Sequence, residues 1–215
     1  MIKAVLWDLD GTVLDTTELI MGAYRYAFEK NHLRDISKDE ALSNFGKPLI
    51  DVMPKFDADR ADELIDSYLE YAEKKHDELA RPFPGIVDAL ANIARRGFEQ
   101  AIVTSKTEQF SRHGLELFGL AGYFKTIIGV ESTKAHKPAP DPALEGLNRL
   151  KVAPDEAIFI GDSQVDRLCA KAAGIPFVFA LWGPNPKAVN RSDADYSIAD
   201  PRDVLNIVPR KGPRI

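Results

Sequence analysis

The sequence predicts an α/β fold: a parallel sheet with helices on both faces and a helical body inserted after the first strand. Three observations lead there. Short β-branched runs alternate with amphipathic stretches along most of the chain, the pattern of βαβ units. Gly97 and Gly174 each follow a helical pattern just before a strand, where a left-handed C-cap belongs. From Thr16 to Ala80 the alternation stops, and the apolar spacing there is helical.

In chain order, Ile2 to Trp7 reads as a buried strand ending at Asp8. A helix over Thr17 to Asn31 places Leu19, Ile20, Ala23 and Ala27 on one side, and Gly46-Lys47-Pro48 interrupts the middle of the helical segment. A long helix over Asp57 to Leu79 aligns Ala61, Leu64, Ile65, Tyr68 and Ala72. Arg81-Pro82-Phe83-Pro84-Gly85 closes the insertion with linker chemistry. Strands are then predicted at Gln100 to Val103, Thr126 to Ile128, Ala157 to Ile160, Pro176 to Ala180 and Tyr196 to Ile198. Between them fall helices at Ile86 to Arg96, Glu108 to Phe118, Asp141 to Leu150 and Val165 to Ala173. Charge separates the two bodies: residues 16–80 hold 9 basic and 15 acidic residues, net −6 in a chain of net −5.

Composition excludes several function classes. The 215 residues are 45% hydrophobic and 28% charged, ordinary for a globular protein and unlike a disordered one. The mild negative balance gives no pull toward nucleic acid or an anionic membrane. One cysteine, Cys169, permits no disulfide framework and no multi-cysteine metal site, and its apolar setting reads as a buried structural thiol. No apolar run is long enough to span a bilayer, and the first residues lack a signal peptide's apolar segment, so a cytoplasmic protein is the expectation. Pro209 to Ile215 carries Arg210, Lys211 and Arg214 without an acid, too little to build on, and reads as a loose terminus.

Four segments past strand ends carry chemistry, at the sheet edge where open α/β folds place their sites. In Asp8-Leu9-Asp10-Gly11-Thr12 the two aspartates lie two apart on extended backbone and address one small volume. Such a pair repels unless a hard cation or a shared proton relieves it. Gly11 lets the chain turn, and freed loop amides can face an anion. Thr104-Ser105-Lys106 ends a strand with hydroxyls suited to phosphate oxygens, although Thr104 could equally cap the next helix. Lys137 stands in the Pro-locked stretch Lys137-Pro138-Ala139-Pro140, where a plain surface lysine is the other reading. Gly161-Asp162-Ser163-Gln164-Val165-Asp166 puts two acids four apart at a helix start, with N-capping by Asp162 as the structural alternative.

In this order and at these strand ends, the four segments resemble the motifs of the haloacid dehalogenase superfamily. Asp8 to Thr12 resembles its first motif, Thr104 its second, Lys137 its third and Gly161-Asp162 through Asp166 its fourth. The resemblance implies a Rossmann-like core over residues 1–15 and 83–215, and a helical cap of the C1 type over residues 16–82. The dehalogenases of this superfamily lack an acid at the second aspartate position, so Asp10 implies phosphoryl transfer. The resemblance further implies an aspartyl phosphate on Asp8 and Mg²⁺ held by the Asp8 and Asp162 side chains and the Asp10 carbonyl. It implies Asp10 as general acid and base, with Thr104 and Lys137 stabilising charge on the transferring oxygens. The amides of Leu9, Gly11 and Ser105 would contact the phosphate, and Asp166 would hold the site through its neighbours.

Asn44-Phe45-Gly46-Lys47-Pro48-Leu49 resembles the specificity loop of the phosphoglycolate phosphatase-like branch. Lys47 would there meet an anionic leaving group, or else be a solvated surface lysine. The sugar-phosphate mutases resemble the chain too, but typically carry an arginine in this loop, and none occurs between Arg34 and Arg60. The implied activity is therefore a Mg²⁺-dependent phosphatase for a small phosphorylated metabolite. A pyrophosphatase, nucleotidase or phosphomutase is the alternative, and a non-catalytic interaction module the remotest one. His32 and His76 are expected to be exposed, His113 and His136 to stand near the motifs without direct roles, and no histidine spacing points to zinc. Trp7 and Trp182 read as packing residues.

Overall fold

The computed structural model describes residues 1–208; the expectation for Pro209 to Ile215 lies outside them. Strand β1 spans Ala4–Trp7, and a two-residue strand β2 at Leu14–Asp15 leads into a run of helices. These are α1 (Thr17–Lys30), α2 (Lys38–Leu42), α3 (Leu49–Val52) and α4 (Ala61–Leu79). The chain returns through β3 (Arg81–Pro82) and continues as α5 (Ile86–Arg95), β4 (Glu99–Val103), α6 (Glu108–Leu117) and β5 (Thr126–Ile128). It ends as α7 (Asp141–Leu150), β6 (Ala157–Gly161), α8 (Gln164–Ala172), β7 (Phe177–Ala180), β8 (Tyr196–Ile198) and α9 (Val204–Ile207).

The six long strands form one parallel sheet in the order β5-β4-β1-β6-β7-β8. Alternation along each strand divides the side chains between two cores. Val5, Trp7, Ile102 and Ile160 meet Ile86, Leu90 and Ile93 of α5 on one face. Leu6, Val103, Phe159 and Phe177 meet Leu147 of α7 and Cys169 of α8 on the other. Burial pushes the Cys169 thiol up to about 12, as suits an inert structural cysteine. Gly97 and Gly174 adopt φ of 78° and 72° after their helices, as the sequence predicts.

The strand-free stretch predicted after β1 is observed, but it is more broken than its apolar spacing suggests. The long helix starts at Ala61 rather than Asp57, because the Asp57 carboxylate accepts from the amides of Asp59 and Arg60 and binds the Arg60 guanidinium, closing its own turn. Helices α1 and α4 share a core of Ala23, Tyr24, Phe28, Leu64, Tyr68 and Ala72. The supposed linker at Arg81-Pro82 is half of an antiparallel ribbon, pairing Leu14 with Pro82 and Asp15 with Arg81. Both crossings to the helical insertion thus run side by side. No helix among the described residues is long and apolar enough to cross a membrane.

Candidate active site

The site grows from the carboxyl end of β1, the third strand of six. Trp7 is fully buried and donates from its indole to Gln100 Oε1 at 3.1 Å. The Asp8 amide still belongs to the sheet, donating to Ile160 O at 2.9 Å. Beyond it the Leu9 carbonyl accepts from the amides of Thr12, Val13 and Leu14, winding the loop tightly. Gly11 takes φ of 82° there, and a Cβ on it would stand 2.5 Å from Asp162 Oδ2. Its amide donates to Leu14 O at 2.8 Å, so it is engaged in the turn instead of being free for an anion. Leu9 itself is a core side chain.

Asp8 and Lys137 are each 2% exposed and Asp166 is fully buried. The Lys137 ammonium donates to Asp8 Oδ1 at 2.7 Å, to Asp166 Oδ1 at 2.6 Å and to Val103 O at 3.2 Å. The surface-lysine alternative is therefore out. Burial alone would lower the Lys137 pKa, but Asp166 and Asp8 outweigh it and hold the group protonated. Burial and the charge of Asp166 lift Asp8 to about 7 against the pull of Lys137, and burial with the charge of Asp8 lifts Asp162 well above the carboxylate range. Ser163, not Asp162, caps α8: its hydroxyl donates to Asp166 Oδ2 at 2.5 Å and accepts from the Asp166 amide. That reciprocal cap frees Asp162, which accepts from Thr12 Oγ1 at 3.2 Å.

Asp8, Asp162 and Asp166 each offer a carboxylate oxygen within 4.8 Å of the others. Lys137 occupies one oxygen of Asp8 and one of Asp166, and Ser163 the second of Asp166. Asp8 Oδ2 is buried with no partner among the described residues. An orphaned acceptor inside a surplus of buried carboxylates fits a hard, oxygen-seeking divalent cation, with Asp8 and Asp162 as the available side chains.

Asp8, Asp10, Thr104, Ser105 and Lys47 all line one cavity of about 470 Å³ between the sheet edge and the helical insertion; Leu9, Gly11, Lys137, Asp162 and Asp166 do not. Asp10 Oδ1 accepts from Thr16 Oγ1 at 2.5 Å and from Lys106 Nζ at 2.6 Å. Lys106 lies two residues past Thr104 on the same loop, yet sequence alone assigns it no partner. Thr104 caps no helix, since Thr107 caps α6; its hydroxyl accepts from the Lys106 amide. The Ser105 hydroxyl donates to Gly46 O at 2.6 Å, and Lys47 Nζ donates to Ser43 O and Asn44 Oδ1. Sequence reasoning also missed Gly183, where a Cβ would meet Asp162 Cβ at 2.5 Å.

The histidines need one correction. His32 is exposed as expected, but His76 is 2% exposed, because α4 turns it onto the Phe110 ring with centroids 4.9 Å apart. His76 Nδ1 and His113 Nε2 both meet Asp77 Oδ1, at 3.1 and 2.8 Å, an arrangement that their sequence spacing hid. Trp182 packs on the core and donates to Thr12 O, steadying the first loop.

A family profile for haloacid dehalogenase-like hydrolases matches residues 5–180. Pyrophosphatase PpaX of Halalkalibacterium halodurans is 32% identical over 210 residues, covering 96% of this chain and 97% of its own. A protein of Caldanaerobacter subterraneus subsp. tengcongensis provisionally named pyrophosphatase PpaX is 37% identical, with 96% and 94% covered. Among solved structures, a haloacid dehalogenase-like family hydrolase of Streptococcus pneumoniae superposes with a TM-score of 0.84 at 26% identity, covering 96% of this chain and 98% of that one. With the profile and the relatives spanning nearly the whole fold and every strand-end motif, the chain belongs to the haloacid dehalogenase-like hydrolases.

Proposed function

We propose that the protein is a Mg²⁺-dependent phosphatase acting on a small phosphorylated metabolite, with Asp8 as nucleophile. The observation that carries this reading is the asymmetry of Asp8: one oxygen is held by Lys137 and the other is buried without a partner. The Lys137 bond fixes the orientation of this carboxylate, which leaves Oδ2 for the cation and Oδ1 for attack on phosphorus. As the Asp8–phosphorus bond forms, the phosphorus–oxygen bond to the leaving group breaks, and Asp10 gives that oxygen a proton. Water then attacks the aspartyl phosphate, loses a proton to Asp10, and releases phosphate with Asp8 regenerated.

Thr16 and Lys106 both bond Asp10 Oδ1, which aims the carboxyl and leaves Oδ2 for proton exchange. Lys137 and Thr104 stand beside the transferring oxygens, the lysine as a fixed positive charge locked by Asp166. Mg²⁺, on Asp8, Asp162 and the Asp10 carbonyl, would neutralise the repulsion between phosphate and the carboxylates. Residues 16–82 act as a cap over this chemistry, hinged through the β2–β3 ribbon.

The relatives named pyrophosphatase PpaX support a second reading in which the leaving group is itself phosphate. Phosphate release from phosphoglycolate, pyrophosphate, nucleoside monophosphates and hexose phosphates, with Mg²⁺ and with chelator, tests both. Mg²⁺-dependent release from a monoester supports the phosphatase; no release from any substrate by folded protein overturns it.

A further inference from the structure

The cavity above Asp8 and Asp10 is far larger than the phosphate it must receive. Its volume of about 470 Å³ is that of a pocket for a small organic ligand. Its far wall is apolar, made by Leu19, Ile20, Phe45, Ile65, Tyr68 and Ala72. Tyr68 is braced edge-on by Tyr24, with ring centroids 5.2 Å apart. Ile50 and Leu69 carry the lining outward, and they are 62% and 41% exposed, which is how large apolar residues sit at the mouth of a ligand pocket.

Of the two lysines on the lining, Lys106 is charge-paired and Lys47 keeps its charge against neutral acceptors. Lys106 is bonded to Asp10, and Lys47 to Ser43 O and Asn44 Oδ1. Burial and the nearby Lys55 also make Lys47 a weaker base than an ordinary lysine. No arginine lines the cavity among the described residues. A dianionic leaving group laid against those six apolar residues would lose hydration, and none of the six is a cation that could offset the loss.

We propose that the preferred substrate is a phosphate monoester with an apolar leaving group, a hydrocarbon chain or ring laid against the Ile20–Phe45–Ile65–Tyr68 wall. The proposal rests on the phosphatase reading and reverses the expectation that Lys47 receives an anion. Pyrophosphate and phosphoglycolate, whose leaving groups are charged, are then poor substrates.

The test compares kcat/KM for methyl, butyl and hexyl phosphate with pyrophosphate and phosphoglycolate, all with Mg²⁺. The alcohols leave with similar ease, so chain length reports the pocket. The expected rise is twofold to about fourfold per methylene until the cavity is full, the upper value matching about 0.8 kcal/mol per buried CH₂. Hexyl phosphate should exceed both charged-leaving-group substrates at least tenfold. Ile65→Asp should cut the hexyl-to-methyl ratio about tenfold in protein with an unchanged circular dichroism spectrum. A flat series, an unchanged ratio, or pyrophosphate as the best substrate overturns the proposal while leaving the phosphatase standing. Calorimetric binding of methylphosphonate and hexylphosphonate separates the two claims. Affinity that grows with chain length in a protein that releases no phosphate overturns the phosphatase reading and supports the apolar wall. Affinity indifferent to chain length overturns the wall whatever the turnover.

Discussion

The Ser105 hydroxyl, on the loop after β4, donates to the Gly46 carbonyl at 2.6 Å, tying the sheet edge to the helical insertion across 59 residues of sequence. A Cβ on Gly46 would fall 2.7 Å from Ser163 Oγ, so the same loop also rests on the start of α8. The two walls of the cavity are thus in contact.

Ser105→Ala should loosen that contact without touching Asp8. One such bond contributes about 1 kcal/mol, so KM for a phosphate ester should rise about fivefold. Amides of residues 43–49 should exchange faster with deuterium. Unchanged exchange would show that the insertion is held by its apolar contacts alone.

Lys137→Ala removes the only ammonium bonded to Asp8 and Asp166 among the described residues. Breaking a buried ion pair from one side costs about 3–5 kcal/mol, because the remaining charges are uncompensated. Urea denaturation should show a loss of that order, smaller at pH 5, where Asp8 takes up a proton. A loss under 1 kcal/mol at pH 8 would argue against a buried, charged triad.

The stability of the metal-free protein should depend on pH through Asp8. Its carboxyl titrates near 4 in the unfolded chain and at about 7 in the folded one. Between these values the folded state holds a proton that the unfolded state has released, so stability falls as pH rises from about 4 to 7 and levels off above. Thermal melts with chelator should show this slope. Adding Mg²⁺ at pH 8 should raise Tm, and Asp8→Asn should remove the Asp8 share of the slope along with turnover, leaving the share of Asp162, which burial also lifts.

Gly183→Ala tests the crowding around Asp162. The added methyl would sit 2.5 Å from Asp162 Cβ, and both atoms belong to short, stiff segments. Asp162 must shift, and half-saturation for Mg²⁺ should rise at least tenfold, with the fold retained. Equal Mg²⁺ response in both proteins would remove Asp162 from the metal's ligands.

Much of this molecule is legible in its sequence because the signals are local. The apolar runs from Ala4, Ala157 and Phe177 can only be buried strands, and Gly97 and Gly174 mark helix ends through backbone sterics alone. The placement of Asp8, Asp10 and Asp162 at strand ends follows from the same runs, whereas Lys137 lies nine residues past the end of β5. What escaped is nonlocal or a competition between near-equals. Ser163 outcompetes Asp162 as the cap of α8 because Asp166 returns its bond, and at α6 Thr107, not Thr104, accepts from the Phe110 amide. The two-residue ribbon of Leu14 with Pro82 has too little pattern to register in sequence.

Tertiary structure alone decided which partners meet. Lys106 reaches Asp10 from 96 residues away, Gly183 closes on Asp162, and His76 is buried against Phe110 because α4 packs across α6. Sequence determined the strands, the insertion and the chemical class of each acid, since those depend on residue type and short-range spacing. It could not determine whether Lys137 and Asp166 neutralise one another, or whether the cavity above Asp8 is lined by charge or hydrocarbon. Those depend on distances across the sheet edge, which exist only once the chain has folded.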